Sequence, residues 1–297
     1  MNIRPAAVAG TWYPANPHAL ANEVDGYVAA AGDGPSGTIA ALIAPHAGLM
    51  FSGPVAAFAY RAAARREYDV AVLVGPSHFM AYEGVALFPD GAFASPFGPI
   101  AIDEAASAAL GAAEIVRPFT DPHAREHSLE MQLPFVGRLL PGLPIVPLLM
   151  GHQRRSTIEQ LAHALADGLG SRRALLVAST DLSHYFDAST AVKLDGEVRR
   201  CVEDFSAERL QDLFERYPAG ERGRHVGCGI GPAIAVMLAA RARGAREARV
   251  LRYAHSGEVS GDFDGVVGYL AAVMGTFDAD PRRPDTTRVE RDVNSPC

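Results

Sequence analysis

The stretch "ALIAPHAGLMFSG", residues 41–53, begins as an unbroken apolar run and then stops at a histidine, His46. Two further apolar runs stop in the same way, "VLVGPSH" at residues 72–78 and "LLVASTDLSH" at residues 175–184. Apolar runs without alternation are typical of strands that helices cover on both faces. The three stretches therefore predict buried strands, each followed by a loop that carries a histidine.

Strand-like runs alternate with amphipathic helical stretches along most of the chain. Strands are predicted at residues 39–44, 70–75, 84–88, 145–150, 174–179, 249–254 and 266–273. Helices are predicted at residues 17–31, 54–66, 103–112, 127–140, 157–169, 189–204, 207–216 and 232–243. Turn residues between positions 84 and 102 predict that this segment forms antiparallel strands joined by turns. The predicted fold class is an α/β three-layer sandwich, whose mostly parallel, mixed central sheet is covered by helices on both faces.

The chain is predicted to form a single α/β domain over residues 1–278, because no linker-like segment interrupts the pattern. Residues 279–297 are polar, contain proline and lack periodicity. These properties predict a disordered C-terminal tail. Within the domain, Gly53-Pro54 would place a proline at the first position of the predicted helix 54–66.

The composition excludes several classes of protein. Among the 297 residues, 48% are hydrophobic and 21% are charged, and the net charge is −7. An acidic chain of this kind argues against a surface for nucleic acid or for an anionic membrane. No signal peptide is visible, and no run approaches the roughly 18 apolar residues of a membrane span. Three cysteines cannot form a disulfide framework for this length. We therefore expect a soluble, cytoplasmic protein.

Several histidines follow predicted strands. In open α/β sheets ligands bind beyond the carboxyl ends of the strands, because the loops there converge. His46, His78 and the pair Asp181/His184 each occupy such a position, and His152 is a weaker fourth member. For any one of them, a histidine that only bonds to nearby backbone remains an alternative. Together they indicate a site at one edge of the sheet.

Cys228 adds a sulfur donor. In "VGCGIGPAIAVML" it stands between glycines, just before a predicted helix. A helix N-terminus stabilises a thiolate, which suits metal binding or nucleophilic chemistry. The alternative is a small buried packing residue. Two histidines and one cysteine form a plausible three-donor set for iron, copper or zinc, with positions left open for a ligand.

Three further residues are candidates for roles around such a metal. Asp181 and His184 could orient or deprotonate a bound molecule, although "STDLSHY" could equally be a turn that satisfies backbone groups. His127, in "REHSLEMQLPF", is a candidate for lining the site from the side, and a surface or capping histidine is an equal alternative. No phosphate loop, Rossmann glycine motif, serine nucleophile elbow or Cys-x-x-Cys pair is present.

Seven stretches, in order, resemble the Memo family, whose bacterial and archaeal members are called AmmeMemoRadiSam system protein B. They are "RPAAVAGTWYP", "IAPHAGLMFSGPVAAFAY", "LVGPSH", "EHSLEMQLPF", "STDLSHY", "GCGIGP" and "SGEVSGDFDGVVGY", spread over residues 3–274. That family is similar in fold to the class III extradiol ring-cleaving dioxygenases, which are non-haem iron enzymes. The resemblance implies metal ligands at His46, His78 and Cys228, and site-lining roles for Asp181 and His184.

The resemblance also implies a range of functions. The dioxygenases have a carboxylate where this chain has Cys228, a softer and more oxidisable donor. Family membership implies iron (Fe²⁺) or copper, and a redox role in some members. Animal members are described as adaptors that bind phosphotyrosine peptides. The system name implies a pathway link to a radical-SAM protein and to an AMMECR-type protein.

Three hypotheses follow for the function. The first is a metal-dependent oxidoreductase that acts on a small molecule, with His184 as general acid/base and Asp181 as an orienting group. The second is a non-catalytic binding or adaptor protein that takes a peptide in the same cleft. The third is a metal-dependent hydrolase, because a metal with an open position can also activate water. Iron is the expected metal, with copper or zinc as alternatives.

Overall fold

In the computed structural model, which describes residues 2–278, strands and helices alternate as expected. The strands are β1 (Ile3–Arg4), β2 (Gly37–Ala44), β3 (Val70–Pro76), β4 (Val85–Leu87), β5 (Ala92–Phe93), β6 (Ile100–Ala101), β7 (Val116–Pro118), β8 (Ile145–Met150), β9 (Ala174–Ser179), β10 (His184–Phe186), β11 (Glu247–His255) and β12 (Val266–Phe277). The helices are α1 (Pro17–Ala30), α2 (Leu49–Ala63), α3 (Glu104–Gly111), α4 (Leu133–Leu139), α5 (Arg155–Asp167), α6 (Ala188–Glu203), α7 (Ala207–Glu215), α8 (Arg222–His225), α9 (Ile230–Ala242) and α10 (Gly257–Ser260). The predicted tail, 279–297, lies outside the described residues.

Nine strands form one large sheet in the order β10-β12-β2-β9-β3-β8-β4-β7, with β11 paired to β12. The four central strands β2, β9, β3 and β8 are parallel to one another. Antiparallel pairs join this centre to both flanks, through β12 on one side and β4 on the other. The prediction of a mixed α/β sandwich is confirmed.

Both faces of the central strands are buried under helices. On β2 and β3, Leu42 and Leu73 face a core that includes residues of α1, α2 and α4. Their neighbours Ile43 and Val72 face the opposite core, which includes residues of α3, α5, α6, α7 and α9. Because a strand alternates its side chains between two faces, burial on both sides requires an apolar residue at every position. This explains the unbroken apolar runs.

The parallel strands deliver their following loops to the same edge of the sheet. Strand β2 ends at Ala44, β3 at Pro76 and β9 at Ser179. The loop after β9 carries Asp181 and leads to His184 at the start of β10. It therefore starts beside the loops that carry His46 and His78. The topology places the candidate site where ligands bind in open α/β sheets.

The predicted start of the helix at Pro54 is wrong, because α2 begins five residues earlier. Gly48 caps the helix, the Leu49 N–H donates to the Trp12 carbonyl at 2.8 Å, and Leu49 is buried. Gly53 serves packing rather than a turn, since a Cβ atom there would lie 2.7 Å from Cε2 of the Tyr27 ring. Burial of an extra helical turn outweighs the hydrogen bond that Pro54 cannot donate.

The helix predicted at 127–140 is shorter than expected. A 3-10 turn occupies Glu130–Gln132, and α4 starts only at Leu133. Pro134 lies in the first turn of α4 and has no N–H to continue an α-helix from the preceding turn. Residues 127–129 therefore form a loop rather than part of a helix, and this loop places His127 in the lining of the cleft at the sheet edge.

The N-terminal segment is fastened by a buried ion pair. Arg4 and Glu130 are both buried and form a salt bridge. The Glu130 carboxylate also accepts hydrogen bonds from the Ala7 N–H at 2.7 Å, the Val8 N–H at 3.0 Å and the Tyr13 hydroxyl at 2.7 Å. These contacts fix the path of residues 4–13, which brings Trp12 to the candidate site.

His123 is a buried structural histidine. Its Nε2 atom bonds to the Ala86 carbonyl at 3.2 Å, and burial lowers its pKa to about 3. The unfolded chain binds a proton on this histidine below pH 6.5, whereas the folded chain stays neutral until about pH 3. Stability is therefore expected to fall as the pH drops through this window, by up to ~1.4 kcal/mol per pH unit from this group alone.

Replacing His123 by glutamine is expected to make this fall in stability shallower, because the amide can keep the bond to Ala86 and does not titrate. Urea unfolding across the same pH window measures the difference in slope. The control is His163→Gln, which changes an exposed histidine of α5. Equal slopes for the wild type and His123→Gln would contradict the assignment.

None of the helices within residues 2–278 is both long and apolar enough to cross a membrane.

Candidate metal site

The structure brings His46, His78 and Cys228 together at the carboxyl edge of the sheet. One potential ligand atom from each of the three side chains lies within 4.8 Å of the others. The Cys228 sulfur is 3.2 Å from Nε2 of His46. Metal–nitrogen and metal–sulfur bonds of about 2.0 and 2.3 Å separate ligand atoms by a similar amount, so one ion fits these donors after small shifts. Their role as ligands remains a prediction.

The hydrogen bonds of Ser179 fix the tautomer of His46. The Ser179 hydroxyl donates its only proton to the Ser128 carbonyl at 2.6 Å. It must therefore accept the bond from Nδ1 of His46, which lies 2.8 Å away. Burial, followed by the charge of His78, lowers the pKa of His46 well below its usual value. A neutral His46 with its proton on Nδ1 presents a free lone pair on Nε2, as a metal ligand requires.

Gln132 holds Ser179 in this role. Its Nε2 amide donates to the Ser179 hydroxyl at 2.8 Å and to the Pro45 carbonyl at 3.1 Å. Its Oε1 accepts from the Tyr60 hydroxyl at 2.9 Å. The amide nitrogen of Gln132 thus faces two acceptors and its oxygen faces a donor. Exchanging the two atoms would break all three hydrogen bonds, so the orientation of the amide is fixed.

Glu126 holds His78 in the corresponding way. Its carboxylate accepts from the N–H of His78 at 2.6 Å and from Nδ1 of the same residue at 2.9 Å. It also accepts from the N–H groups of His127 at 2.8 Å and Ser128 at 2.9 Å. Oε1 accepts three of these bonds and Oε2 accepts one, so the carboxylate is tied to the backbone of both loops. Glu126 also lies near His78 and His127 in a second possible metal cluster.

Two glycines hold Cys228 against the loop after β9. A Cβ atom at position 227 would lie 2.5 Å from the Asp181 carbonyl, and one at position 229 would lie 2.2 Å from the Ser179 carbonyl. The Cys228 N–H bonds to the Asp181 carbonyl at 3.2 Å, and the Asp181 N–H approaches the sulfur at 3.4 Å. The sequence "GCG" is thus explained by close approach of two backbones, which fixes the thiol at the site.

The protonation of the site depends on the cation. Burial raises the pKa of the Cys228 thiol, so the sulfur keeps its proton when no cation is near. Burial lowers the pKa of His78, and the bond to the Glu126 carboxylate opposes that effect. A metal-bound sulfur is deprotonated, so a metal ion would displace the thiol proton of Cys228, and metal uptake should strengthen with pH.

A cleft of about 580 Å³ opens over these donors. His127 lines it, and its ring stacks on His78 with centroids 4.6 Å apart. Trp12 packs on the other side of His127, with centroids 4.3 Å apart. Burial, with smaller effects of nearby charges, lowers the pKa of His127 to about 4, so this ring is neutral at physiological pH.

Asp181 and His184 also line the cleft. The Asp181 carboxylate accepts a hydrogen bond from the His46 N–H at 2.8 Å, and burial raises its pKa. Asp181 therefore holds the backbone that carries a metal-ligand candidate. The Nδ1 atom of His184 is buried and has no hydrogen-bond partner within residues 2–278. The catalytic roles of both residues remain predictions.

The sequence misplaced one residue and missed several. His152 is exposed and does not line the cleft, because the Gly151 and His152 N–H groups bond to the Gly84 and Tyr82 carbonyls and turn the loop away. Glu126 was missed, although an acid directly before His127 was a usable signal. Two other missed side chains also line the cleft: Tyr185, the last residue of the motif "STDLSHY", and Arg224, which belongs to none of the seven motifs.

Two imidazoles and a thiol at the carboxyl edge of a mixed sheet define an α/β protein with a candidate His₂Cys metal site. A profile described as Memo-like protein matches residues 4–273. A MEMO1 family protein of Methanopyrus kandleri is 35% identical over 285 residues, covering 91% of this chain and 98% of the relative. One of Methanosarcina mazei is 36% identical over 278 residues, covering 92% and 100%. The chain belongs to the Memo family, and the resemblance noted from its motifs is confirmed.

A solved structure shares the fold alone. The crystal structure of an uncharacterized protein from Escherichia coli K12 superposes with a TM-score of 0.55 at 13% sequence identity. The match covers 80% of this chain and 100% of that chain.

Replacing Glu126 by glutamine is expected to weaken metal binding by about 10–100-fold, because an amide cannot accept all four hydrogen bonds, two of which come from His78 and orient it. Competition with a coloured chelator measures the affinity. Glu159→Gln, a change at an exposed position of α5, is the control. An unchanged affinity in Glu126→Gln would show that the carboxylate does not position His78.

Proposed function

We propose that this protein is a metal-dependent oxidoreductase that binds iron, or alternatively copper, through His46, His78 and Cys228 and acts on a small molecule in the cleft. The observation that carries the proposal is the convergence of these three donors within 4.8 Å. The acceptors Ser179 and Glu126 support it, because each bonds Nδ1 of one histidine and so directs Nε2 towards the sulfur.

The donor set supports a transition metal. Thiolate and imidazole suit iron, copper and zinc, whereas magnesium and calcium prefer oxygen ligands. A bound iron or copper ion would supply one-electron redox chemistry and open positions for a ligand. A cytoplasmic location would suit Cys228, because reducing conditions keep a thiol available for metal binding.

The other cleft residues would bind and move protons. His184 lines the cleft, and we assign it as the acid or base that exchanges a proton with the bound molecule. We assign Asp181 as a positioning residue, because its carboxylate holds the N–H of His46. Trp12 and His127 would form an apolar wall that excludes water on one side.

Metal analysis and oxygen consumption test the proposal. Protein purified anaerobically without an affinity tag should contain stoichiometric iron or copper, and the metal-loaded protein should consume oxygen with catechol as a probe substrate. Retained metal without oxygen consumption would favour a binding or adaptor protein. Stoichiometric zinc together with hydrolytic activity would favour the hydrolase.

A further inference from the structure

Arg224 presents an unpaired positive charge to the cleft. Its guanidinium lies over the Phe186 ring, 4.7 Å from the centroid, and this contact holds the guanidinium in place. The Phe186 ring also packs against His225, with ring centroids 5.1 Å apart. Within residues 2–278 no carboxylate forms an ion pair with Arg224, which both lines the cleft and is exposed. The charge is oriented and available to a ligand.

Tyr185 is held beside Phe186 in a strained conformation. Its φ angle of 61° lies in the left-handed region, which a bulky side chain rarely adopts. It is the extra residue where the register between β10 and β12 shifts, between His184 and Phe186. The side chain is 69% exposed, lines the cleft, and forms no hydrogen bond within the described part of the chain. The bulge leaves this strained residue exposed in the lining of the cleft, where a ligand can reach it, which points to a role towards a ligand.

The rest of the cleft leaves a place for an anion. Asp181 is the only carboxylate that lines it, and this side chain is buried and turned to the His46 N–H. No acid therefore competes for Arg224 within the described lining. The cleft lining also includes Trp12, Ala47 and Val267, which offer contacts for a carbon skeleton rather than for a second charge.

We infer that Arg224 and the Tyr185 hydroxyl bind the carboxylate of the substrate, which is therefore a small organic acid whose other end reaches the His46, His78 and Cys228 donors. This inference rests on the proposed metal function. Arg224 supplies a planar pair of N–H donors that matches a carboxylate, and Tyr185, the neighbour of Phe186 on β10, supplies one more donor. The pair determines specificity and takes no part in electron transfer.

Hydroxamates provide a direct test, because one end binds metal and the other can carry or lack a carboxylate. The monohydroxamates of succinate, glutarate and adipate are titrated into Zn²⁺-loaded protein, each beside its neutral methyl ester. Calorimetry and the fluorescence of Trp12, the only tryptophan of the chain, report binding. At one chain length at least, the wild type should bind the carboxylate at least about tenfold more tightly than the ester, as expected for a charged hydrogen-bonded pair.

Substitutions assign this preference to the two residues. Arg224→Gln should abolish it, because the affinity for the carboxylate should fall far more than the affinity for the ester. Arg222→Gln should retain it, because Arg222 is on the same helix but lies over Phe214 and does not line the cleft. Tyr185→Phe should reduce the preference in part. Tyr185→Gly should reduce it while the melting temperature stays equal or rises, because glycine relieves the strain.

The inference is overturned if Arg224→Gln keeps the preference, if Arg222→Gln loses it equally, or if no chain length shows one. A lower melting temperature for Tyr185→Gly would overturn the strain argument and with it the role of Tyr185. Failure of the proposed metal site is distinguishable, because the wild type would then take up no metal and would bind neither carboxylate nor ester.

Discussion

Serine in place of Cys228 is expected to reduce the retained metal to background while the protein stays folded. A serine hydroxyl does not ionise near neutral pH, so the site would lose both its negative charge and its soft donor. Loss of an outer acceptor such as Glu126 typically costs about 10–100-fold in affinity, and loss of a ligand should cost more than that. Metal content per chain after dialysis against a chelator measures the effect.

Cys201 provides the matched control for this experiment. It is the other cysteine within the described residues, and it is buried in the core on α6, outside the cleft. Burial raises its pKa, so it stays a neutral thiol. Cys201→Ser should bind metal like the wild type, whereas equal retention by Cys228→Ser would remove the sulfur from the site.

Removal of the Glu130 carboxylate is expected to give the largest loss of stability. Glu130→Ala leaves Arg4 buried without its partner, which typically costs about 3–5 kcal/mol. It also frees the Tyr13 hydroxyl and the N–H groups of Ala7 and Val8. Urea unfolding measures the change in free energy, and Trp12 fluorescence reports whether the N-terminal segment leaves the cleft.

A double-mutant cycle separates the buried charge from the packing. Arg4→Met combined with Glu130→Ala should be less destabilised than the sum of the single changes, because neither charge is then left unpaired. The exposed pair Asp25–Arg138 is the control, and Asp25→Asn should cost less than about 1 kcal/mol. Additive effects at Arg4 and Glu130 would contradict the importance of this ion pair.

Much of the fold was predictable because a strand that is buried on both faces appears in the sequence as an unbroken apolar run. The apolar runs gave strands β3, β8 and β9 almost to the residue, since every position on these strands is buried. The start of α2 was not predictable from Gly53-Pro54. It depends on the Trp12 carbonyl, which accepts the Leu49 N–H across 37 residues of sequence that carry no sign of the contact.

The candidate site was predictable where topology alone decides position. His46 and His78 follow neighbouring parts of a parallel sheet, so their convergence follows from the strand order once the strands are known. His152 follows β8 at the same edge, yet the bonds from its N–H and that of Gly151 to the carbonyls of Tyr82 and Gly84 turn it away. Arg224 and Tyr185 depend on tertiary packing around Phe186, which no periodicity reveals.

X-ray absorption at the metal edge tests the central claim most directly. The sample is untagged protein purified without oxygen. We predict iron, or copper, at one ion per chain, with one sulfur and two imidazole nitrogens among its ligands. Stoichiometric zinc, a coordination shell without sulfur, or a protein that retains no metal would contradict the claim.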